Sequence, residues 1–181
     1  MHPRIPRQAS QEPGPQRADN DARLDDALAP VVAGARRRAV RDGDRQVDTA
    51  HLLHSLLESD PNVRAAFGEG PRIARLLGYL VQRSIGYGLR WQGRVEDSGA
   101  VPAVPGAAGF SPLASASMDD ALERAAARGE GVRGTDLLAA ILADPRARAV
   151  EVVRRAGIDP REVRPLIADR PGAPGECETG R

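Results

Sequence analysis

One apolar motif, met twice in the same setting, constrains this chain most. The segments DTAHLLHSLLESDP (48–61) and GTDLLAAILADP (134–145) each open on small polar residues, pass through a leucine pair and close on Asp-Pro. Their leucine pairs, Leu52-Leu53 and Leu137-Leu138, lie 85 residues apart. Leu52, Leu53, Leu56 and Leu57 form the core stripe of a helix that Asp48 or Thr49 can cap, and Asp60-Pro61 starts a further turn of helix. A unit that recurs once is a duplicated bundle, since a solenoid needs more copies. Aromatic residues make up only 3% of the chain against 41% hydrophobic residues, so the core must be built of Ala, Leu, Val and Ile. That composition favours closely packed helices over a β-sandwich, and the expected class is all-α.

The flanking segments repeat the plan. Before the first motif, Leu24, Leu28, Val31, Val32, Ala35 and Ala39 recur at helical spacing, with Pro30 kinking or restarting the helix. After it, a helix is expected over Pro71 to Gln82, and Tyr87 and Trp91 follow in either a hairpin or a packed loop. Ser111-Pro112 opens the second set; Met118, Ala121, Leu122 and Ala125 continue its apolar face, and Gly129 to Gly131 ends it. VVRRAGIDPREVRPLI (152–167) supplies two last helices around a Gly-Ile-Asp-Pro turn. Residues 1–21 and 169–181 hold too few apolar groups to offset the entropy of ordering and read as an arm and a tail. The folded domain therefore spans 22–168: repeat one about 22–84, a connecting segment about 85–109 that includes the turn-prone Val95 to Gly109, and repeat two about 110–168.

The charge balance narrows the function. The 26 basic residues are offset by 25 acidic ones, which argues against nucleic acid as the main partner. Every basic residue is Arg, and a chain without Lys has no Walker A loop for hydrolysing a nucleotide. The single Cys177 can close no internal disulfide and complete no zinc site; with no membrane-length apolar run and no signal-peptide core, a cytoplasmic protein is expected. His51 and His54 lie three apart without a companion Cys, so capping or a surface role outweighs a metal site. Ser111 and Ser115 lack a nucleophile elbow and read as helix caps. No catalytic residue, metal or cofactor is expected. Arg36, Arg37 and Arg38 read as a solvated face, with an acidic partner site as the lesser alternative.

The duplicated order of spaced alanines, a Gly turn, a Val, a Thr-(Glu/Asp)-(His)-Leu-Leu helix start and a closing Gly-(Val/Ile)-Asp turn resembles the Clp repeat domain. Copy one matches at Ala35, Ala39, Gly43, Val47, Thr49, His51, Leu52 and Leu53. Copy two matches at Phe110, Ser111, Pro112, Gly129, Val132, Asp136, Leu137, Leu138, Gly157, Ile158 and Asp159. The resemblance covers roughly residues 22–168. It implies a pseudo-twofold, eight-helix bundle like the amino-terminal domain of Clp chaperones, without their motor. It further implies a non-catalytic module that binds a Clp chaperone, an adaptor or substrate peptide, or a small hydrophobic ligand. A regulator docking directly on the chaperone or protease through the Arg-rich helix, or a hydrolase, are the competing readings. In some members a Thr near each repeat start and the motif Glu form sites for phosphorylated arginine. Here Ala50 replaces the first Glu, and Thr135 replaces the second if Asp136 aligns with the His; a one-residue shift would put Asp136 at the Glu position instead. Asp25 stands where copy one usually has its Thr, which disfavours an anion there. The first helices of the two copies should meet near the pseudo-twofold axis. Leu24, Asp25, Phe110 and Ser111 are therefore the expected ligand-binding residues, with Phe110 as an apolar anchor.

Overall fold

Acidic and hydroxyl side chains cap the starts of several helices, and the computed structural model, which describes residues 15–84, Glu96 and 109–168, shows eight helices among them. They are α1 (Pro15–Asp42), α2 (Thr49–Ser59), α3 (Pro61–Ala66), α4 (Pro71–Ser84), α5 (Pro112–Arg128), α6 (Gly134–Ala143), α7 (Arg148–Arg155) and α8 (Pro160–Ala168). Asp48 caps α2 by accepting the His51 N–H at 2.9 Å, Asp60 caps α3 through Asn62 and Val63, and Ser111 caps α5 through Ala114. Each such cap satisfies a donor that the helix itself leaves open, worth about 1 kcal/mol. The class is thus mostly helical, and no helix among the described residues is long and apolar enough to cross a membrane.

Two details differ from the sequence reading. Helix α1 already begins at Pro15, inside the segment read as an arm; Pro is favoured at a first helical position, and Ala, Arg, Gln and Leu sustain the turns that follow. Its path breaks at Leu28, whose φ of −116° and ψ of 19° are non-helical. The break sits two residues before Pro30, whose ring clashes with a preceding carbonyl and whose nitrogen carries no hydrogen. The second difference is a two-stranded parallel sheet of β1 (Gln46–Val47) and β2 (Gly109–Phe110), pairing Gln46 with Gly109 and Val47 with Phe110. The tail 169–181 and the aromatic pair Tyr87 and Trp91 lie outside the described residues.

The core is aliphatic. Leu52, Leu53, Leu56, Leu57, Leu137, Leu138 and Ile141 are all buried, each contributing about 1.5–3 kcal/mol through removal from water. Helix α1 packs on α2, α5 packs on α6, and α2 also meets α6 and α7. The approach of α6 to α2 explains why α6 opens on glycine where α2 opens on threonine: a Cβ at Gly134 would collide with the Asp60 carboxylate and the Leu56 side chain.

Polar groups join the first set of helices to the second. Glu96, buried although it comes from the connecting segment, accepts the Thr49 N–H at 2.6 Å and the Ser111 hydroxyl at 2.9 Å on one oxygen. Its other oxygen accepts the Thr49 hydroxyl at 2.8 Å and the Arg148 N–H at 2.7 Å. Ala147, at the N-cap of α7, has no capping side chain. Glu96 takes over that role for Arg148, and the Thr49 hydroxyl takes it for Ala149 at 3.1 Å. A carboxylate between two helix starts is also favoured by both helix dipoles. Alongside, the Arg148 guanidinium donates to Asp48 at 2.6 Å, and the Ser111 N–H donates to the Val47 carbonyl at 2.9 Å.

Removing acceptor capacity at the centre of this junction should be costly. Glu96→Gln keeps the shape but turns an NH2 toward the donors on Thr49 and Arg148, so a loss of about 2–4 kcal/mol in unfolding free energy is expected. Urea unfolding followed by circular dichroism measures it, and an unchanged midpoint would contradict the assignment.

Candidate functional site

Two of the residues singled out for binding, Phe110 and Ser111, fall at the seam between the two sets of helices. Phe110, held by the β1–β2 pairing, is half-buried, and the Arg36 guanidinium of α1 lies 5.3 Å above the centre of its ring. A cation over an aromatic face is attracted by the ring quadrupole, and here it links α1 to the strand that opens the second set. Ser111, the next residue, is fully buried: its hydroxyl donates to Glu96 and accepts the Ala114 N–H. A ligand could reach that hydroxyl only by displacing Glu96. Leu24 and Asp25 lie in α1 before its break at Leu28; their side chains are outside the described residues. Of the four, the structure therefore brings Phe110 and Ser111 to the seam, one at its surface and one inside it.

The histidines are built into the fold at different depths of the same helix. His51 is the third residue of α2, and its Nδ1 accepts the Asp48 backbone N–H at 3.0 Å while Asp48 accepts the His51 N–H. Gly43 turns the end of α1 at a φ of 71°, a conformation open to glycine, and the turn folds two acidic residues back over the imidazole. Asp42 and Asp44 stand 3.5 and 3.2 Å from His51 Nε2. This acidic pair is what the sequence reading missed; the signal was the Asp-Gly-Asp turn ahead of the leucine motif. His51 Nδ1 also lies 2.9 Å from Asp48 Oδ1, so Asp48 meets this nitrogen with both its backbone and its side chain. The ligand atoms of Asp42, Asp44 and His51 lie within 4.8 Å of one another, and a carboxylate at Nδ1 is the kind of partner that orients a ligating imidazole.

Residue Asp136 does at α6 what His51 does at α2. It too is third in its helix, and its carboxylate accepts the N–H of Arg133, the N-cap residue, at 2.9 Å. Asp136 is further clamped by Arg128, whose two terminal nitrogens approach at 2.6 and 2.7 Å. The Arg128 pKa is raised, first by this hydrogen bonding to Asp136.

On the next turn of α2, His54 is buried and its Nε2 lies 3.3 Å from Glu58, which is ion-paired with Arg38. Arg38 is therefore mostly covered, also donating to the Gly34 carbonyl at 3.1 Å, while Arg36 and Arg37 are exposed. The run read as one solvated face is divided. Burial first, and next the Arg38 charge, lower the His54 pKa from 6.5 to about 4, against a smaller pull upward from Glu58. Glu58 is itself held below its usual range, chiefly by the Arg38 hydrogen bond.

Neutral His54 makes stability depend on pH with a definite sign. Below pH 6.5 the unfolded chain takes up a proton that the folded one refuses until about pH 4, so stability falls as the pH drops across that window and the His54 contribution levels off beneath it. Discounted for solvent screening around His54, the effect is about 1–2 kcal/mol. Urea unfolding of wild type and His54→Gln across this range should show the decline lessened in the variant; identical pH dependence would contradict it. As to relatives, no family model matches the chain, and no curated protein is significantly similar to it.

Proposed function

We propose that this chain is a non-catalytic docking module of the Clp proteolysis system, built from two four-helix repeats and acting in the cytoplasm. The observation that carries the repeat reading is the shared helix start: His51 and Asp136 occupy the third position of α2 and α6, and each side chain accepts the N–H of its N-cap residue. On that register Asp136 aligns with the motif His and Thr135 with Ala50, so neither copy keeps the motif Glu. The pairing of α1 with α2 and of α5 with α6, and the positive-φ glycines Gly43 and Gly129 after α1 and α5, fit the same pseudo-twofold plan.

What such a module would offer a peptide, an adaptor or a small hydrophobic ligand is the half-buried ring of Phe110 at the seam. Aromatic anchors at rigid positions concentrate binding energy. A phosphoarginine ligand fits less well, because its guanidinium would find Ala50 and Thr135 in place of the motif carboxylates. A hydrolase reading finds little support: the Thr49 and Ser111 hydroxyls, the ones bonded to Glu96, are buried within the junction. Direct docking on the chaperone or protease through α1 keeps one observation in its favour, the exposure of Arg36 and Arg37.

A tagged copy used as bait in extract from its own cells should enrich Clp chaperone or protease subunits, scored by mass spectrometry. Phe110→Ala should fold normally and weaken that capture by about thirtyfold, the loss of an anchor worth about 2 kcal/mol. Absence of Clp subunits would contradict the family reading, and undiminished capture by the variant would remove Phe110 from the site.

A further inference from the structure

Away from the seam, α5, α6 and α8 border a cleft of about 600 Å3 that five arginines line together with Thr135 and Asp136. Arg124 and Arg128 come from α5, Arg133 from the start of α6, and Arg161 and Arg164 from α8. Two of these charges are answered locally: Arg128 clamps Asp136, and Arg133 reaches Glu130 at 2.6 Å. Among the described residues, the side chains of Arg124, Arg161 and Arg164 have no acidic partner. Three uncompensated guanidinium groups thus face one recess in a protein whose formal net charge is only +1.

The recess is not purely polar. Ala139, Pro165 and Ile167 also line it, and Leu166 beside it is 54% exposed. A volume within the range of about 300–1,000 Å3 suits a short stretch of peptide better than a lone inorganic ion. Apolar walls suit the methylene groups of acidic side chains, while guanidinium forks suit their oxygens. Nucleic acid fits less well, because no aromatic side chain lines the cleft on which a base could stack.

We propose that this cleft binds an acidic peptide segment of a partner protein, with Arg124, Arg161 and Arg164 meeting its anionic side chains and Pro165 and Ile167 its aliphatic stems. Asp and Glu supply the anionic oxygens, because their methylene stems suit the apolar walls and their carboxylates the guanidinium forks. The site stands apart from Phe110 and does not depend on the Clp reading.

The test is fluorescence anisotropy at low ionic strength on the full chain, with three labelled probes: hexaglutamate, a peptide of equal length carrying phosphoserine, and a single-stranded oligonucleotide. Arg161→Ser/Arg164→Ser should weaken binding of at least one peptide about tenfold or more. Arg64→Ser/Arg154→Ser, which removes equal charge from exposed positions outside the cleft, should change it less than about twofold. Tighter binding of the phosphoserine peptide than of hexaglutamate would overturn the assignment to Asp and Glu. Arg124→Ser, on a different helix, supplies the same readout if the α8 variant loses its thermal transition. The proposal is overturned if neither peptide binds, if both double variants weaken binding equally, or if the oligonucleotide binds more tightly than either peptide with the same dependence on Arg161 and Arg164.

Discussion

A single carboxylate, that of Glu96, receives hydrogen bonds from the first residue of α2, the first residue of α7 and the cap of α5. These donors belong to parts of the chain far apart in sequence, and leaving a buried donor unmet costs about 1–3 kcal/mol. Arrangements that separate α2 from α7, or shift β2 along β1, therefore lose several bonds together. The neighbouring groups enforce the same register: Arg148 reaches back to Asp48, and Ala149 to the Thr49 hydroxyl. Aliphatic packing, which is largely non-directional, supplies cohesion to α1, α2, α5 and α6. The polar junction supplies the alignment between them.

That alignment governs what the seam can present. Ser111 is held inside by the bonds that make it a cap, whereas Phe110, one residue earlier, remains at the surface under Arg36. The arginine-only basic set has a comparable consequence. A planar guanidinium suits two-pronged pairing with a carboxylate, as Arg128 makes with Asp136. Where such pairing is present the residue is part of the fold; where it is missing, as in the cleft between α5 and α8, the charge is left facing solvent.

The helices were legible because their signals are local. The leucine stripes, Asp48, Asp60 and Ser111 as caps, and the Pro starts of α3, α4, α5 and α8 all act within a few residues. Glu96 was not legible, since it lies in a stretch read as turn-prone and its partners are 15 to 52 residues away. The β1–β2 pair was hidden for a similar reason: two residues are too short to show period-2 alternation. The arginine cleft depends on packing α8 on α6 beside α5, which no spacing along the chain reveals.

The claim that Glu96 closes the junction is tested most directly by amide hydrogen exchange at Thr49 and Arg148. If their N–H groups are bonded to its carboxylate within the cooperative core, both should exchange only through global unfolding, with protection matching the leucines of α2, and both should lose it in Glu96→Gln. Rapid exchange at either amide in the wild-type protein would contradict the account.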